Sequence, residues 1–300
     1  MRKSPLLLLV LAILLSCKTE PERIFIKLTA GQKYQQKMVT KITTSQTIQG
    51  RKISSTVITE ALNNFEVLEL KDTIYNLNVS YESISAKMEV DGQVTPMMKS
   101  PVSDLFDKMK GKQYQMKMSN TGRVVETVGA DSLFANLTKS LPGLTEEIKA
   151  KIAKSFVKTY GDSAIKKNSF QNASLYPNRA IKEGDTWAVK KLAGDDLYSP
   201  ALDAVYKVDK ITGSEYIISM KAKMEVGSND KSSPLFNIKL NGTMNSINKI
   251  DKKTGLLLES KINQDMIGNM KITQGTPNMI GTSILTQFKT EMTLTNSMLK

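Results

Sequence analysis

The sequence predicts an α+β protein, mostly antiparallel β, in which a helical connector joins two duplicated halves. Two observations predict this fold. From Ile24 onward, apolar and polar residues alternate with period two over most of the chain, which indicates strands with one buried face. The five letters AKMEV at Ala86–Val90 also recur as Ala222–Val226. We therefore expect each half to contain the same kind of β-sheet.

A second match, in the same order along the chain, supports the duplication. Thr121-Gly122 and Thr254-Gly255 follow the two AKMEV copies at nearly the same distance, and each pair precedes a strand that ends in Glu. Glycine suits the positive-φ position of a hairpin turn, so each pair predicts a turn between two strands. We place the first β-rich half at 24–128 and the second at 175–300.

The alternation assigns individual strands in the first half. Tyr34, Met38 and Ile42 fall on one face of the first long strand. Turn residues then divide the remaining apolar runs. The predicted strands are Ile53–Leu62 after a turn at Gly50-Arg51, Phe65–Leu70 and Ile74–Tyr81 around a turn at Lys71–Thr73, and Ile84–Val90.

Helices are expected in the connector, 129–174, and after Ser100-Pro101, where Pro occupies a first helical position. In the connector, Asp131 is expected to cap a first helix. Thr145 is expected to cap a longer one, with two glutamates in its first turn. Apolar residues at four-residue spacing predict that this longer helix packs against the sheet: Ile148, Ile152, Phe156 and Tyr160.

The N-terminus is typical of an exported lipoprotein. Arg2 and Lys3 precede an unbroken apolar run, Leu6–Leu15, which has the length of a signal-peptide core and is too short to span a bilayer. The single cysteine of the chain, Cys17, follows directly after Ser16 and resembles the acylated cysteine of a bacterial lipobox. We predict a signal peptide at 1–16, lipidation including palmitate at Cys17, and a lipidated tether at 17–23.

This anchor predicts a location in the cell envelope. Acyl chains on Cys17 would hold the protein to a membrane, because each buried methylene contributes roughly 0.8 kcal/mol. Lys18 rather than Asp follows the cysteine, which by resemblance to known sorting rules favours the outer membrane. Periplasmic and surface-facing orientations both stay open.

Composition excludes several classes of function. The 300-residue chain contains 0 His and 1 Cys, so triads with histidine, ordinary zinc sites and disulfides are excluded. The carboxylate pairs Glu146-Glu147 and Asp195-Asp196 are sequence neighbours and do not face one cleft. The formal net charge of +13 comes from dispersed lysines without interleaved aromatics, so no nucleic-acid partner is expected. We predict no enzyme activity, no metal and no cofactor.

Three segments resemble an uncharacterised family of Bacteroidota lipoproteins with a domain of unknown function. They are Leu28–Tyr34, the strand-turn pair around Gly122, and Tyr176–Trp187, which ends in Gly-Asp-Thr-Trp. The resemblance implies a strongly curved antiparallel sheet, similar at the level of fold to the half-barrels of lipoprotein-carrier proteins. It implies no chemistry, since the family has no established activity.

Methionine, with 16 residues, is the most unusual component of the chain. Its pliable side chain suits an irregular concave core, or the lining of an acyl-chain pocket if that core is incompletely filled. We predict a non-catalytic membrane-anchored lipoprotein that binds or carries a hydrophobic or amphiphilic envelope molecule. The alternative is a structural lipoprotein with a dry core that docks a protein or polysaccharide. The candidate ligand-lining residues are Met88, Met116, Met118, Met220, Met224 and Trp187.

Overall fold

A computed structural model describes residues 21–48, 50–90, 93–95, 101–169, 173–192, 200–227, 236–274 and 279–299. The predicted signal peptide, the candidate lipidation site Cys17 and the pair Asp195-Asp196 lie outside these residues. The described part is mostly antiparallel β, as the alternation predicts.

Twelve strands form one sheet in the described residues, and every pairing in it is antiparallel. The strands are β1 Lys33–Ile48, β2 Arg51–Lys71, β3 Ile74–Val90, β4 Gln93–Thr95, β5 Gln113–Ser119, β6 Val124–Val128, β7 Thr186–Lys191, β8 Ala201–Ile211, β9 Glu215–Gly227, β10 Phe236–Asp251, β11 Leu257–Ile272 and β12 Ser283–Met298.

The first and last long strands pair at the middle of this sheet. Its order is β6-β5-β3-β2-β1-β12-β11-β10-β9-β8-β7, with β4 beside β3. The ladder between β1 and β12 runs from Tyr34↔Met298 to Thr47↔Leu285. The two predicted halves therefore share one continuous sheet, and their duplication stays a prediction.

The β2 segment departs from the predicted strands. We expected separate strands at Ile53–Leu62 and Phe65–Leu70, but Arg51–Lys71 is continuous. The strands expected at Ile74–Tyr81 and Ile84–Val90 are likewise one strand, Ile74–Val90. The reason is that register shifts at Leu62/Asn63 and Val67/Glu69 absorb the breaks in alternation within one long strand.

The sheet is strongly curved, and the hydrogen bonds of a segment before β1 show this curvature. The amide of Ile26 donates to the carbonyl of Asn120 in the β5–β6 turn (2.7 Å), and the amide of Lys27 donates to Thr254 in the β10–β11 turn (2.6 Å). Four strands separate β5 from β11, which would place these turns about 24 Å apart in a flat sheet. Adjacent residues can bond both turns only because the sheet is strongly curved.

This segment, Pro21–Ala30, closes one end of the concave side, which we call the closed end. Ile24, Ile26 and Leu28 alternate into the main core and are buried. The hydroxyl of Tyr75 donates to the carbonyl of Ile26 (2.8 Å) and accepts from the amide of Leu28 (3.1 Å). The opposite end, where the hairpins β1–β2 and β11–β12 turn, is the open end.

Glu22 fastens the start of the same segment to β9 and to the turn after β10. Its carboxylate accepts hydrogen bonds from the Tyr216 hydroxyl (2.5 Å) and from Lys252 Nζ (2.9 Å), and its backbone pairs with Ile181. These bonds hold the pKa of Glu22 below its ordinary value, with Tyr216 as the largest cause and Lys252 second.

We expect Glu22→Gln to lower the free energy of unfolding by about 1 kcal/mol at neutral pH, because the amide accepts weaker hydrogen bonds in a half-exposed site. Since folding lowers the carboxyl pKa, the contribution is complete above the ordinary pKa of glutamate. It is lost as pH falls through the lower folded value. Urea titration at neutral and acidic pH measures both effects.

Glu66→Gln is the matched control, because Glu66 pairs with Lys33 on the exposed outer face. Its loss is expected to change the stability little at either pH. Equal losses for the Glu66→Gln and Glu22→Gln variants would contradict a fastening role for Glu22.

Four helices are bounded within the described residues: α1 Pro101–Met109, α2 Ala130–Lys139, α3 Glu146–Tyr160 and α4 Asp162–Asn168. Helix α1 packs beside β3, α2 beside β5 and α4 beside β6, whereas α3 packs on α2 and α4. With Tyr81 of β3 they form a second core, in which Phe134 and Phe156 are buried. As predicted, α1 starts at Pro101, and the Thr145 hydroxyl accepts from the amide of Ile148 at the start of α3 (3.4 Å).

Two expectations about the helices are wrong. Asp131 does not cap α2; its carboxylate accepts from the amide of Asp162 (2.8 Å), while the Asp162 carboxylate accepts from Ala130 (3.2 Å). Each aspartate thus caps the other's helix, because the two helix starts lie side by side. The second wrong expectation concerns the apolar residues of α3, which pack against α2 rather than the sheet: the centroid of the Phe156 ring lies 6.0 Å from that of Phe134.

Candidate ligand-binding face

The inner, concave face of the central strands carries a set of half-exposed apolar side chains, which we call the apolar strip. Cross-strand pairing joins it over three strands, since Ile42 lies opposite Val57 and Val57 opposite Met88. Toward β12, Ile42 lies opposite Thr290, and Met292 lies opposite Thr40. The strip consists of Met38 and Ile42 of β1, Val57 and Ala61 of β2, Ile84 and Met88 of β3, Ile262 of β11, and Phe288 and Met292 of β12.

The strip is exposed because the elements that cover the rest of the concave face end at its borders. On β1, Tyr34 near the closed end is 4% exposed and stacks on Phe65, whereas Ile42 on the same face is 38% exposed. On the helical side, Ile84 packs against the second core. Toward β10, the inner-face residues Met244 and Met266 are again buried. The result is an apolar trough that is open toward the open end.

A row of polar side chains crosses the floor of the concave face, on the closed-end side of the strip. Gln36 Nε2 donates to Asn296 Oδ1 (3.2 Å), and Asn296 Nδ2 donates to the Leu257 carbonyl (2.6 Å). Next to Gln36, the side-chain oxygen of Asn63 is buried and accepts no hydrogen bond within the described residues. The apolar strip is therefore bordered on its closed-end side by a row of polar side chains.

The predicted ligand-lining residues divide into two groups. Met116, Met118, Met220 and Met224 are all buried in the main core. Met88 lies on the apolar strip. The structure therefore brings one of the predicted methionines to the half-exposed face, and the other four contribute packing.

Trp187, on β7, lies apart from the strip and is partly buried against the main core. Its ring stacks on Tyr206 with 5.4 Å between centroids and 8° between planes. Its indole N–H donates to the Ser174 carbonyl (2.9 Å). One face of the ring and the N–H group are thus engaged in packing at the sheet edge.

Just before it, the motif Gly-Asp-Thr-Trp forms the predicted turn into a strand. Asp185 accepts from Arg179 (2.9 Å) and from the backbone amide of Lys182 (3.2 Å). Arg179 is the main cause that lowers the pKa of the Asp185 carboxyl. These contacts shape a turn and bring no second carboxylate to Asp185.

Two shallow depressions, of about 420 and 240 Å³, lie elsewhere. Most of their lining residues point away from the concave face, as Lys223 and Glu225 do in the larger one. Met224 is the one predicted ligand-lining residue that borders either depression. The apolar strip is therefore the better candidate site, although it is a trough rather than an enclosed cavity.

Sequence reasoning missed Ile42, Val57 and Met292 as candidate site residues. Their signal was present, because the alternation of Tyr34, Met38 and Ile42 identifies their common face. What the alternation does not show is that coverage ends between Tyr34 and Ile42.

Charged residues of the described part form ion pairs on the outer surface rather than a catalytic or metal cluster. Examples are Lys37–Glu60 (3.4 Å) and Lys117–Glu126 (2.7 Å). Among the described residues, no three acidic, His or Cys side chains converge on a possible metal position. Nor does any helix there combine the length and apolar character needed to cross a bilayer.

Three solved structures align with most of this chain at low identity. Lipovitellin, from a study of its lipid–protein interactions, aligns with 90% of this chain at 7% identity and a TM-score of 0.48, and the chain spans only 25% of that lipovitellin chain. An outer membrane channel from Pseudomonas putida F1 aligns with 91% of this chain and 98% of its own at 9% identity (TM-score 0.19). The translocator domain of the autotransporter NalP from Neisseria meningitidis aligns over 89% of each chain at 6% identity (TM-score 0.16).

Comparison with curated proteins gives no match. A family model does match, over residues 72–257, which is more than half of the chain. The match includes the four helices, the Gly-Asp-Thr-Trp turn and the strands from β3 to the first residue of β11, and it begins after β2. The chain therefore belongs to the family of unknown function DUF6263.

Proposed function

We propose that this protein binds the apolar part of an amphiphilic molecule on its apolar strip and that it does so without catalysis. The observation that carries the proposal is the run of half-exposed apolar side chains across five neighbouring strands on the concave face. An apolar surface that stays in contact with water is costly, and covering it with an acyl chain recovers about 25 cal/mol per Å².

The shape and polarity of the trough favour an amphiphile over a purely apolar ligand. A chain that runs parallel to β1, over Met38 and Ile42, would bring its head to the closed-end side or the open-end side of the strip. On the closed-end side is the row of polar side chains, with Gln36 and the buried side-chain oxygen of Asn63. At the other end are exposed hairpin turns and solvent. Ligand sites commonly combine an apolar lining with a few such polar groups.

We also propose that the protein acts from a membrane. In this proposal acylated Cys17 holds it to the outer membrane after removal of residues 1–16. The described chain begins four residues later, so Pro21 lies within about 14 Å of the acylated residue. Radiolabelled palmitate tests the anchor: incorporation into wild type but not into the Cys17→Ser variant supports it, and an unlabelled wild type contradicts it.

A duplication would explain the order of strands. Counted from β6, the strands of the first predicted half follow the order β6-β5-β3-β2-β1. Beyond β12, those of the second half follow the order β11-β10-β9-β8-β7, so the strand numbers decrease in the same direction across the sheet in both halves. We propose that the two sets arose from one repeated unit. Superposition of β3, β5 and β6 on β9, β10 and β11 tests this.

The binding proposal predicts a specific loss. We expect Ile42→Gln combined with Val57→Gln to weaken binding of a fluorescent palmitate analogue by about tenfold, because two amides would be desolvated under the chain. Both side chains are partly exposed, so the substitutions leave the buried core intact. Fluorescence titration of purified wild type and variant measures the affinities.

Ile267→Gln is the matched control, since Ile267 is 50% exposed on the outer face of β11. It is expected to bind the probe as wild type does. A wild type that takes up no probe, or a strip variant with unchanged affinity, would overturn the proposal and favour the dry-core alternative.

A further inference from the structure

We propose that the open end of the sheet docks on an anionic lipid bilayer other than the one that acylated Cys17 would enter, because Pro21 lies at the closed end, about 50 Å away along the 16-residue strand β1. The hairpins β1–β2 and β11–β12 turn side by side there, because their four strands are neighbours in the order β2-β1-β12-β11. Three apolar residues at these turns are strongly exposed: Ile53 (44%), Met279 (48%) and Ile280 (51%). We call these three residues the tip patch.

The basic residues beside the tip patch indicate that its partner is an anionic surface. Arg51, Lys52 and Lys271 lie in the same two hairpins. The described residues of these hairpin ends, 44–48, 50–56, 268–274 and 279–285, contain no Asp or Glu. Exposed apolar side chains flanked by basic residues match the interface of an anionic bilayer, where the apolar groups enter the acyl boundary and the cations meet the head groups.

The closed end has exposed apolar residues too, but in a different electrostatic setting. Leu68 and Leu70 are 48% and 43% exposed at the end of β2. They lie next to Glu69 and Asp72, which an anionic surface repels. Exposure alone therefore does not mark a bilayer contact. At the open end the described ends of the two hairpins add basic residues and contain no acidic one, and the acidic residue paired with them is Glu89 of β3, opposite Thr56.

The tip patch lies on the open-end side of the apolar strip, and on β2 it is separated from the strip by Ser55. Ile53 lies on the inner face of β2, on the same side as Val57, and Phe288 continues this face on β12. A bilayer that meets the open end would thus contact the mouth of the trough. Docking does not require ligand binding, and the two properties can be tested separately.

The test uses the full chain, held on beads by a C-terminal affinity tag. Leu299 bonds Lys33 at the closed end, so this attachment leaves the open end accessible. Fluorescent phosphatidylglycerol vesicles are expected to be captured, and phosphatidylcholine vesicles to be captured at least tenfold less. Capture should fall as salt rises, because salt screens the lysine and arginine charges.

Variants identify the surface. Ile53→Ser, Met279→Ser and Ile280→Ser combined are expected to reduce capture at least tenfold, and Arg51→Ala or Lys52→Ala each about fivefold. The matched control, Leu68→Ser with Leu70→Ser, should capture vesicles as wild type does. Equal capture of neutral vesicles, an unaffected tip-patch variant, or capture only of protein partners would overturn the inference. Unchanged binding of the palmitate analogue by the tip-patch variant separates docking from the proposed function.

Discussion

Gly255→Ala is expected to lower the free energy of unfolding by about 3 kcal/mol. Gly255 has a φ of 66°, where an L side chain costs about 1–2 kcal/mol. A β-carbon there would also overlap the carbonyl oxygen of Phe25 and lie 2.6 Å from its carbonyl carbon. The segment Pro21–Ala30 must then move away from the turn and give up the bond between Lys27 and Thr254. Chemical denaturation followed by circular dichroism measures the loss.

Gly184→Ala separates the two causes of this loss. Gly184 has a φ of 83°, but a β-carbon there would meet nothing within 4 Å. The control is expected to lose about 1 kcal/mol, which is the backbone cost alone. If both variants lose the same stability, close packing of the N-terminal segment on the turn contributes nothing, and the described closed end is incorrect.

Phe134→Ala is expected to cost about 3–5 kcal/mol, the usual range for a fully buried aromatic residue. Phe134 is 1% exposed and is surrounded by the rings of Tyr81, Phe156 and Tyr160 at 5.9–6.4 Å. Its removal leaves a cavity between the helices and β3. Thermal and urea unfolding of the variant measure the cost.

Ile148→Ala, on the same face of α3 as Phe156, is the control, because Ile148 is 43% exposed. Its expected loss is below about 1 kcal/mol. A similar loss in both variants would mean that the helices do not pack through Phe134. Unchanged binding of the palmitate analogue by the Phe134→Ala variant would show that the helical cluster and the apolar strip are independent.

Local features of the fold could be predicted because they depend on nearby residues. Thr121-Gly122 and Thr254-Gly255 both form turns, and each glycine has positive φ. Thr145 caps α3 because its hydroxyl reaches an amide three residues ahead. Patterns within a few residues therefore identified strands, turns and one helix cap correctly.

Long-range arrangements were not predictable, since alternation identifies the face of a strand but not its neighbour or its cover. Nothing in β1 indicates that its partner is β12. The exchange of caps between Asp131 and Asp162 depends on two helix starts that are distant in sequence. The candidate site was missed for the same reason, because Tyr34 and Ile42 follow one pattern and differ only in what lies over them.

The central pairing of β1 with β12 has a consequence for how the chain folds. Met38 meets Leu294, so the middle of the sheet forms only after almost the whole polypeptide has been synthesised. Closing so long a loop is slow, and contacts this distant in sequence reduce the folding rate. During synthesis the nascent chain thus lacks the pairing of β1 with β12. In stopped-flow refolding we expect this pairing to form in the late, slow phase.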